Sequence, residues 1–288
     1  MIPFTDTHVH FHDLRHSTLR YEWLDATAED PDLGDYSAIK SLRYWADDFI
    51  AETRFHDVER VVHVQAAIGT DDPVEETRWL QAFADRTGVP HGIVAAADLS
   101  NPTVDDVLRR HLEYPNVRGI RDLRYDDYLD DPQWQRGYAL LEQNGLVLCD
   151  DPLIEHMASS CRLAERFPGI VLCIDHAGFP RERTDDYFKE WRTGMCGLAG
   201  PENTVVKISG LGQCDHRWTV ESLRPWVLTC IEAFGVERSF FGTNWPVDRL
   251  FSSYGDVIEA YAEIITDFTD AEQTALFSGN ANRIFRLD

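Results

Sequence analysis

Residues 169 to 178 read GIVLCIDHAG: a short apolar run that ends in charged and polar groups and gives way to a segment of helical periodicity. Its length suits a strand better than a helix. Seven more runs of this kind punctuate the chain: IPFTDTH (2 to 8), VERVVHVQAA (58 to 67), HGIVAAADL (91 to 99), NVRGIRDL (116 to 123), GLVLCDD (145 to 151), NTVVKISGL (203 to 211) and RSFFGTNW (238 to 245). Between them lie amphipathic stretches such as DPVEETRWLQAFADRTG, PQWQRGYALLEQNG and VESLRPWVLTCIEAFG, several closed by glycine or proline as helices often are. Strand alternating with helix eight times implies parallel strands joined by right-handed crossovers, and eight such units close into a (β/α)8 TIM barrel of the α/β class. The chain has 288 residues, close to the size of that barrel, so residues 1 to 288 are expected to form a single domain. An open doubly wound sheet is the alternative, but no G-x-G-x-x-G follows a strand and no phosphate-loop motif is present. The stretch from Phe11 to Ala51, inserted after the first strand and rich in aromatics and charges, is expected to cap the top of the barrel.

The formal net charge of −23, from 50 acidic and 27 basic residues, repels phosphate backbones and anionic lipid. Nucleic acid and membranes are therefore not expected partners; a small-molecule substrate is. Six cysteines without a C-x-x-C pair, two of them inside apolar runs, read as buried thiols of a reducing compartment. With no leader-like N-terminus and no apolar run of membrane-spanning length, the expected location is cytoplasmic.

Barrels of this kind place their chemistry at the C-terminal ends of the strands. The polar groups there are Asp6, His8 and His10; His63 and Gln65; Arg121, Asp122 and Arg124; Asp150 and Asp151; Asp175 and His176; Lys207 and Ser209; and Asn244 and Asp248. His8 and His10, two apart, point the same way and can grip one ion or one substrate. Arg121 and Arg124 cannot both continue one pleat, so at least one lies in a loop. They are placed either to clamp a substrate carboxylate or to pair with Asp122 and Asp126. Buried Lys207 needs a charged partner. His63 and His91 read as core histidines, His12 as a pocket or packing residue, and Tyr21 and Trp23 as a roof for a sugar ring or as ordinary cap packing.

Taken together, DTHVH (6 to 10), IDHAG (174 to 178), GTNWPVD (242 to 248) and GNANRIFRL (279 to 287) resemble the amidohydrolase superfamily. Within it, they resemble the amidohydrolase 2 branch of sugar-lactone and dicarboxylate-lactone hydrolases, over almost the whole chain. The resemblance implies a barrel, often oligomeric, that hydrolyses small ring-closed esters, frequently anionic ones. It also implies a metal site, of whose usual ligands only His8, His10 and His176 remain: the fifth strand ends in CDD instead of a histidine, and the eighth carries Asn244 where the catalytic aspartate is usual. The cofactor is thus either one divalent ion, zinc or manganese, on those three histidines, or none.

Asparagine cannot take a proton at neutral pH, so Asn244 is expected to orient water or substrate while the base lies elsewhere. Asp248, four residues on, and His176 are the two candidates; the competing role for Asp248 is to cap the helix that follows. The expected activity is a hydrolase opening a small anionic or sugar-derived lactone, with the carbonyl polarised by His8, His10 and an arginine. Acyl migration between hydroxyls of a lactone, an isomerisation, is the alternative, and metal-dependent decarboxylation a more distant one.

Overall fold

The computed structural model describes residues 2–124 and 127–287. Its barrel strands are β1 (Phe4–Val9), β2 (Val58–Val64), β3 (Gly92–Ala96), β4 (Val117–Arg121), β5 (Val147–Asp150), β6 (Leu172–Ile174), β7 (Thr204–Ile208) and β8 (Ser239–Phe241). They are all parallel and hydrogen-bonded in chain order. Past β8 the chain returns to β1: Trp245 N–H donates to His8 O at 3.1 Å, and His10 N–H donates to Trp245 O at 2.7 Å. The fold is the (β/α)8 TIM barrel that the eight apolar runs predict.

A helix lies between each pair of strands and another follows the last: α1 (Ala46–Thr53), α2 (Val74–Thr87), α3 (Val104–His111), α4 (Pro132–Asn144), α5 (Met157–Arg166), α6 (Asp185–Leu198), α7 (Val220–Phe234) and α8 (Tyr254–Ile264). Their ends follow local chemistry. Helix α4 starts where the Asp131 carboxylate accepts from Gln133 N–H, has Pro132 in its first turn, and stops at Gly145 with φ 60°. Among the described residues, no helix is long and apolar enough to cross a membrane.

Side chains alternate along each strand between the barrel interior and the helical shell. Val62, Val64, Val94, Val147, Cys149, Cys173 and Val205 form one buried cluster with Phe285 and Leu287 near the C-terminus, whereas the intervening Val61, Ile93, Leu148, Leu172 and Val206 belong to the larger cluster shared with the helices. The inner columns become polar toward the top: Val205 is followed by Lys207 and Ser209, and Cys173 by Asp175. The segment from Phe11 to Ala51 does lie over that end, because its Leu19, Tyr21, Leu24, Tyr36 and Ile39 pack on Ala66, Ala67 and Val247 from the loops after β2 and β8.

Candidate active site

Two layers of polar side chains fill the upper barrel. In the lower one, Lys207 and Asp175 are wholly buried and paired, Nζ to Oδ1, at 2.8 Å. Burial alone would depress the lysine pKa, but the Asp175 carboxylate outweighs it and the ammonium is held above its usual range. The charged partner expected for Lys207 is therefore Asp175. Above the pair stand three imidazoles, with ring centroids 4.4 Å apart for His8 and His176 and 4.8 Å for His8 and His10.

Each ring has one nitrogen spoken for. His10 Nδ1 donates to Val64 O at 2.9 Å, which leaves Nε2 with its lone pair. His176 Nδ1 lies 3.0 Å from Ser209 Oγ. His8 Nδ1 lies 3.6 Å from Asp175 Oδ2 and 3.5 Å from Lys207 Nζ, while its buried Nε2 has no hydrogen-bond partner among the described residues. All three rings are neutral at physiological pH. Burial, then Arg121, pushes the pKa of His10 down to about 3. His8 is lowered by burial and its neighbour His176, and His176 by burial and Arg121.

The asparagine sits over a buried carboxyl. Asn244 Nδ2 donates to Asp248 Oδ2 at 2.8 Å, and Gly212 N–H donates to Oδ1 at 3.2 Å. Asp248 is 3% exposed, and burial raises its pKa to about 7, partly offset by these hydrogen bonds. It does not cap the following helix: the Ser253 hydroxyl does, accepting from Asp256 N–H at 3.2 Å. Two glycines of SGLG make room for the arrangement. A Cβ at Gly210 would lie 2.4 Å from His176 Nδ1, and one at Gly212 would lie 2.5 Å from Asp248 Oδ1. Backbone strain gathers here too: the non-glycine residues His176 (φ 52°), Ala177 (φ 54°), Phe179 (φ 43°) and Asn244 (φ 59°) are all left-handed. Each such conformation costs on the order of 1–3 kcal/mol and persists where packing enforces it, commonly at functional sites. The turn at His176 also explains why β6 stops at Ile174, short of the apolar run that predicts it.

A cavity of about 380 Å³ opens above these groups. His10, His176, Asn244, Arg121 and Trp23 line it, so the structure brings together five of the predicted site residues. His8 and Asp248 lie beneath the lining. Tyr21 and Arg124 are elsewhere. Tyr21 is buried in the core of the cap. Arg124, in the loop after β4, pairs with Asp98 and, at 3.1 Å, with Asp122; Asp126 lies outside the described residues. Arg121 ends β4 and faces Asp151 at 3.3 Å. His63 is a core histidine, accepting from Phe11 N–H and facing Glu76. His91 Nδ1 accepts from Val61 N–H, and His12 packs in the cap with Nε2 against Ser41 O.

Sequence reasoning overlooks part of the wall: Phe179, Arg181, Asp32 and Gln213 also line the cavity. For Phe179 and Arg181 there was a signal, since they follow IDHAG within three residues. Asp32 comes from the cap, and no spacing rule places a cap loop.

The donor set suits a divalent cation in kind, with three neutral imidazoles, one nitrogen of each held by a neighbour and the His8 Nε2 orphaned. Among the described residues, the group whose potential ligand atoms lie within 4.8 Å of one another is Cys149, Cys173 and Asp175. The Lys207 ammonium already stands there as the cation.

The comparisons agree with this geometry. The amidohydrolase family model matches residues 5–287. The chain is 36% identical to the uncharacterized protein y4mH of Sinorhizobium fredii, over 99% of both chains. It is 30% identical to an L-fucono-1,5-lactonase of Burkholderia ambifaria, over 80% of this chain and 81% of that one. Among solved structures, it superposes with a TM-score of 0.85, at 25% identity, on an amidohydrolase from Burkholderia multivorans crystallised with bound zinc, covering 99% of this chain and 100% of that one. A barrel whose strand ends carry this constellation, matched over nearly its whole length by that family model, is a hydrolytic enzyme, and the chain belongs to the amidohydrolase family.

Proposed function

We propose that the enzyme opens an uncharged, hydroxyl-rich lactone of the sugar-lactone type. The observation that carries this reading is the charge balance of the cavity. Its arginines are already matched by carboxylates, Arg121 by Asp151 at 3.3 Å and Arg181 by Asp32 at 3.2 Å, and Asp30 adds a further acid. With the histidines neutral, the lining offers no net positive charge to a substrate carboxylate. The lactonase relatives support the ester class.

In the mechanism, water held by Asn244 attacks the ring carbonyl and passes its proton to His176 Nε2, the nitrogen left over when Nδ1 faces Ser209. Arg121 lies at the cavity wall to stabilise the oxyanion. As the tetrahedral intermediate collapses, the ring C–O bond breaks and the proton returns from His176 to the departing oxygen, leaving a hydroxy acid. Asp248 is a positioning residue: its carboxylate accepts from the Asn244 amide and so fixes which end of that amide meets the water. A divalent ion, if bound, would be held by His8, His10 and His176 and would supply Lewis-acid polarisation of the carbonyl.

The test is a matched panel of 1,5-lactones. Uncharged aldonolactones are expected to be turned over with kcat/KM at least about tenfold above lactones of the same ring bearing an extra carboxylate, tenfold being about 1.4 kcal/mol of discrimination. A preference for the charged series would overturn the reading.

A pH dependence follows from Asp248. The Asn244 orientation needs its anion, whose population falls as pH drops through about 7. Activity is expected to be full above that value and to decline below it. Burial and the neighbouring Asp151 also bring Asp150 to about 7, so the assignment rests on the Asp248→Asn variant, which should lose this acidic limb. A limb that persists unchanged in that variant would belong to another group.

A further inference from the structure

A second chamber, of about 780 Å³, adjoins the first, and Trp23, Gln65, Arg121 and Leu123 line both. Its outer walls come from the loops after β2 and β3 and from α3, through Thr70, Asp72, Asn101, Thr103 and Arg110. Ligand pockets typically measure roughly 300–1,000 Å³. The first chamber is at the small end of that range, fit for one ring, and the space beyond it is larger than the space that holds the chemistry.

Two features at the junction point to a ligand that continues through it. Gln65 is 6% exposed, and its Oε1 has no hydrogen-bond partner among the described residues. A buried acceptor left in this way is suited to a hydroxyl brought by a ligand. Trp23 is fixed by its Nε1–H donating to Ala66 O at 2.8 Å, so its ring stands as a rigid apolar wall shared by the two spaces.

Charge then selects the chemistry of the occupant. Arg110 is paired with Asp72 at 2.5 Å, and Asp71, Asp98 and Asp122 add negative charge around the chamber. A phosphate or carboxylate would be repelled. Hydroxyls meet donors and acceptors on every side, and Val107 with Ala97 gives a ring an apolar floor.

We infer that this chamber is a subsite for a neutral sugar carried as a glycosidic substituent on the lactone, so that the natural substrate is a disaccharide-derived aldonolactone. The inference rests on the lactonase reading above. The class of reaction that must supply such a substrate is oxidation at C1 of a reducing disaccharide.

The experiment compares the preferred monosaccharide 1,5-lactone with the lactones made by oxidising disaccharides that carry that same sugar at the reducing end, linked through O3 or O4. Spontaneous hydrolysis is subtracted. The expected result is a kcat/KM at least about tenfold higher for one of the disaccharide lactones, since remote binding energy is used in the transition state. Thr103→Trp, which fills the chamber from its outer wall, should abolish that advantage and leave monosaccharide turnover within about twofold of the parent enzyme, as expected of a change remote from the reacting groups. Monosaccharide turnover with no gain for any disaccharide lactone, or a gain that survives Thr103→Trp, would overturn the subsite alone. If no lactone is opened above the spontaneous rate, the lactonase reading falls and the subsite with it.

Discussion

Replacing His176 with alanine is expected to lower kcat/KM for lactone hydrolysis by about 10²–10⁴-fold, the range over which a positioned general base acts. Of the two candidate bases at the strand ends, His176 borders the cavity, whereas Asp248 lies beneath it with both oxygens engaged. Burial, with Arg121 and Lys207, keeps the imidazole neutral, so the lone pair is available over the whole physiological range. The proton it takes is stabilised as negative charge develops on the attacked carbonyl a few ångströms away, an interaction absent in the ground state. Initial rates in a weakly buffered indicator assay measure the effect, and His176→Asn serves as a variant of similar size that cannot accept the proton. Asp248→Asn should cost less, because it disturbs the orientation of Asn244 and leaves the base intact. If alanine at His176 left kcat/KM within about threefold while Asp248→Asn removed the 10²-fold or more that a base supplies, the two roles would have to be exchanged.

The fold was legible because each barrel strand is a compact apolar run, and eight of them alternating with amphipathic helices admit few architectures. The strand ends were less so. The runs ending in IDHAG and GTNW extend past the last ladder residues Ile174 and Phe241, since the chain leaves the sheet through left-handed residues whose conformation no apolar pattern encodes. His8, His10 and His176 were readable from their places on strands, where a period of two fixes direction. Arg124 was not, because three residues after Arg121 it has left β4 and its direction is set by Asp98 and Asp122, which approach from elsewhere. Asp248 was ambiguous for a similar reason. An aspartate ahead of a helix commonly caps it, and only the fold shows that Ser253 takes that role while Gly212, from the loop after β7, turns its N–H toward the carboxylate. The second chamber was beyond the sequence altogether, being a space between Trp23 of the cap and loops from three different strands.

The other large effect is expected on stability, from Lys207→Met. Methionine matches the lysine stem in bulk, so the packing over the Phe285 ring, 5.5 Å below Nζ, is largely kept and the change is mostly one of charge. What remains is the Asp175 carboxylate, wholly buried, with Cys173 Sγ at 3.6 Å and the neutral His8 ring as its neighbours. Removing one partner of a buried ion pair typically costs about 3–5 kcal/mol, because the other charge is left without compensation. For a chain of this size that corresponds to a fall in Tm on the order of 10 °C. Thermal and denaturant unfolding of the variant measure it, and the double variant Lys207→Met/Asp175→Asn should recover a substantial part, since it removes the stranded charge. A single-variant loss below about 1 kcal/mol, the size typical of a solvent-screened surface pair, would mean that water reaches the carboxylate and the pair is not the buried anchor its geometry implies. A double variant no more stable than the single one would instead place the cost in lost packing. With the expected pattern, the barrel stands on a charged pair one layer below its reacting groups, and the three neutral imidazoles keep their places because that pair keeps its own.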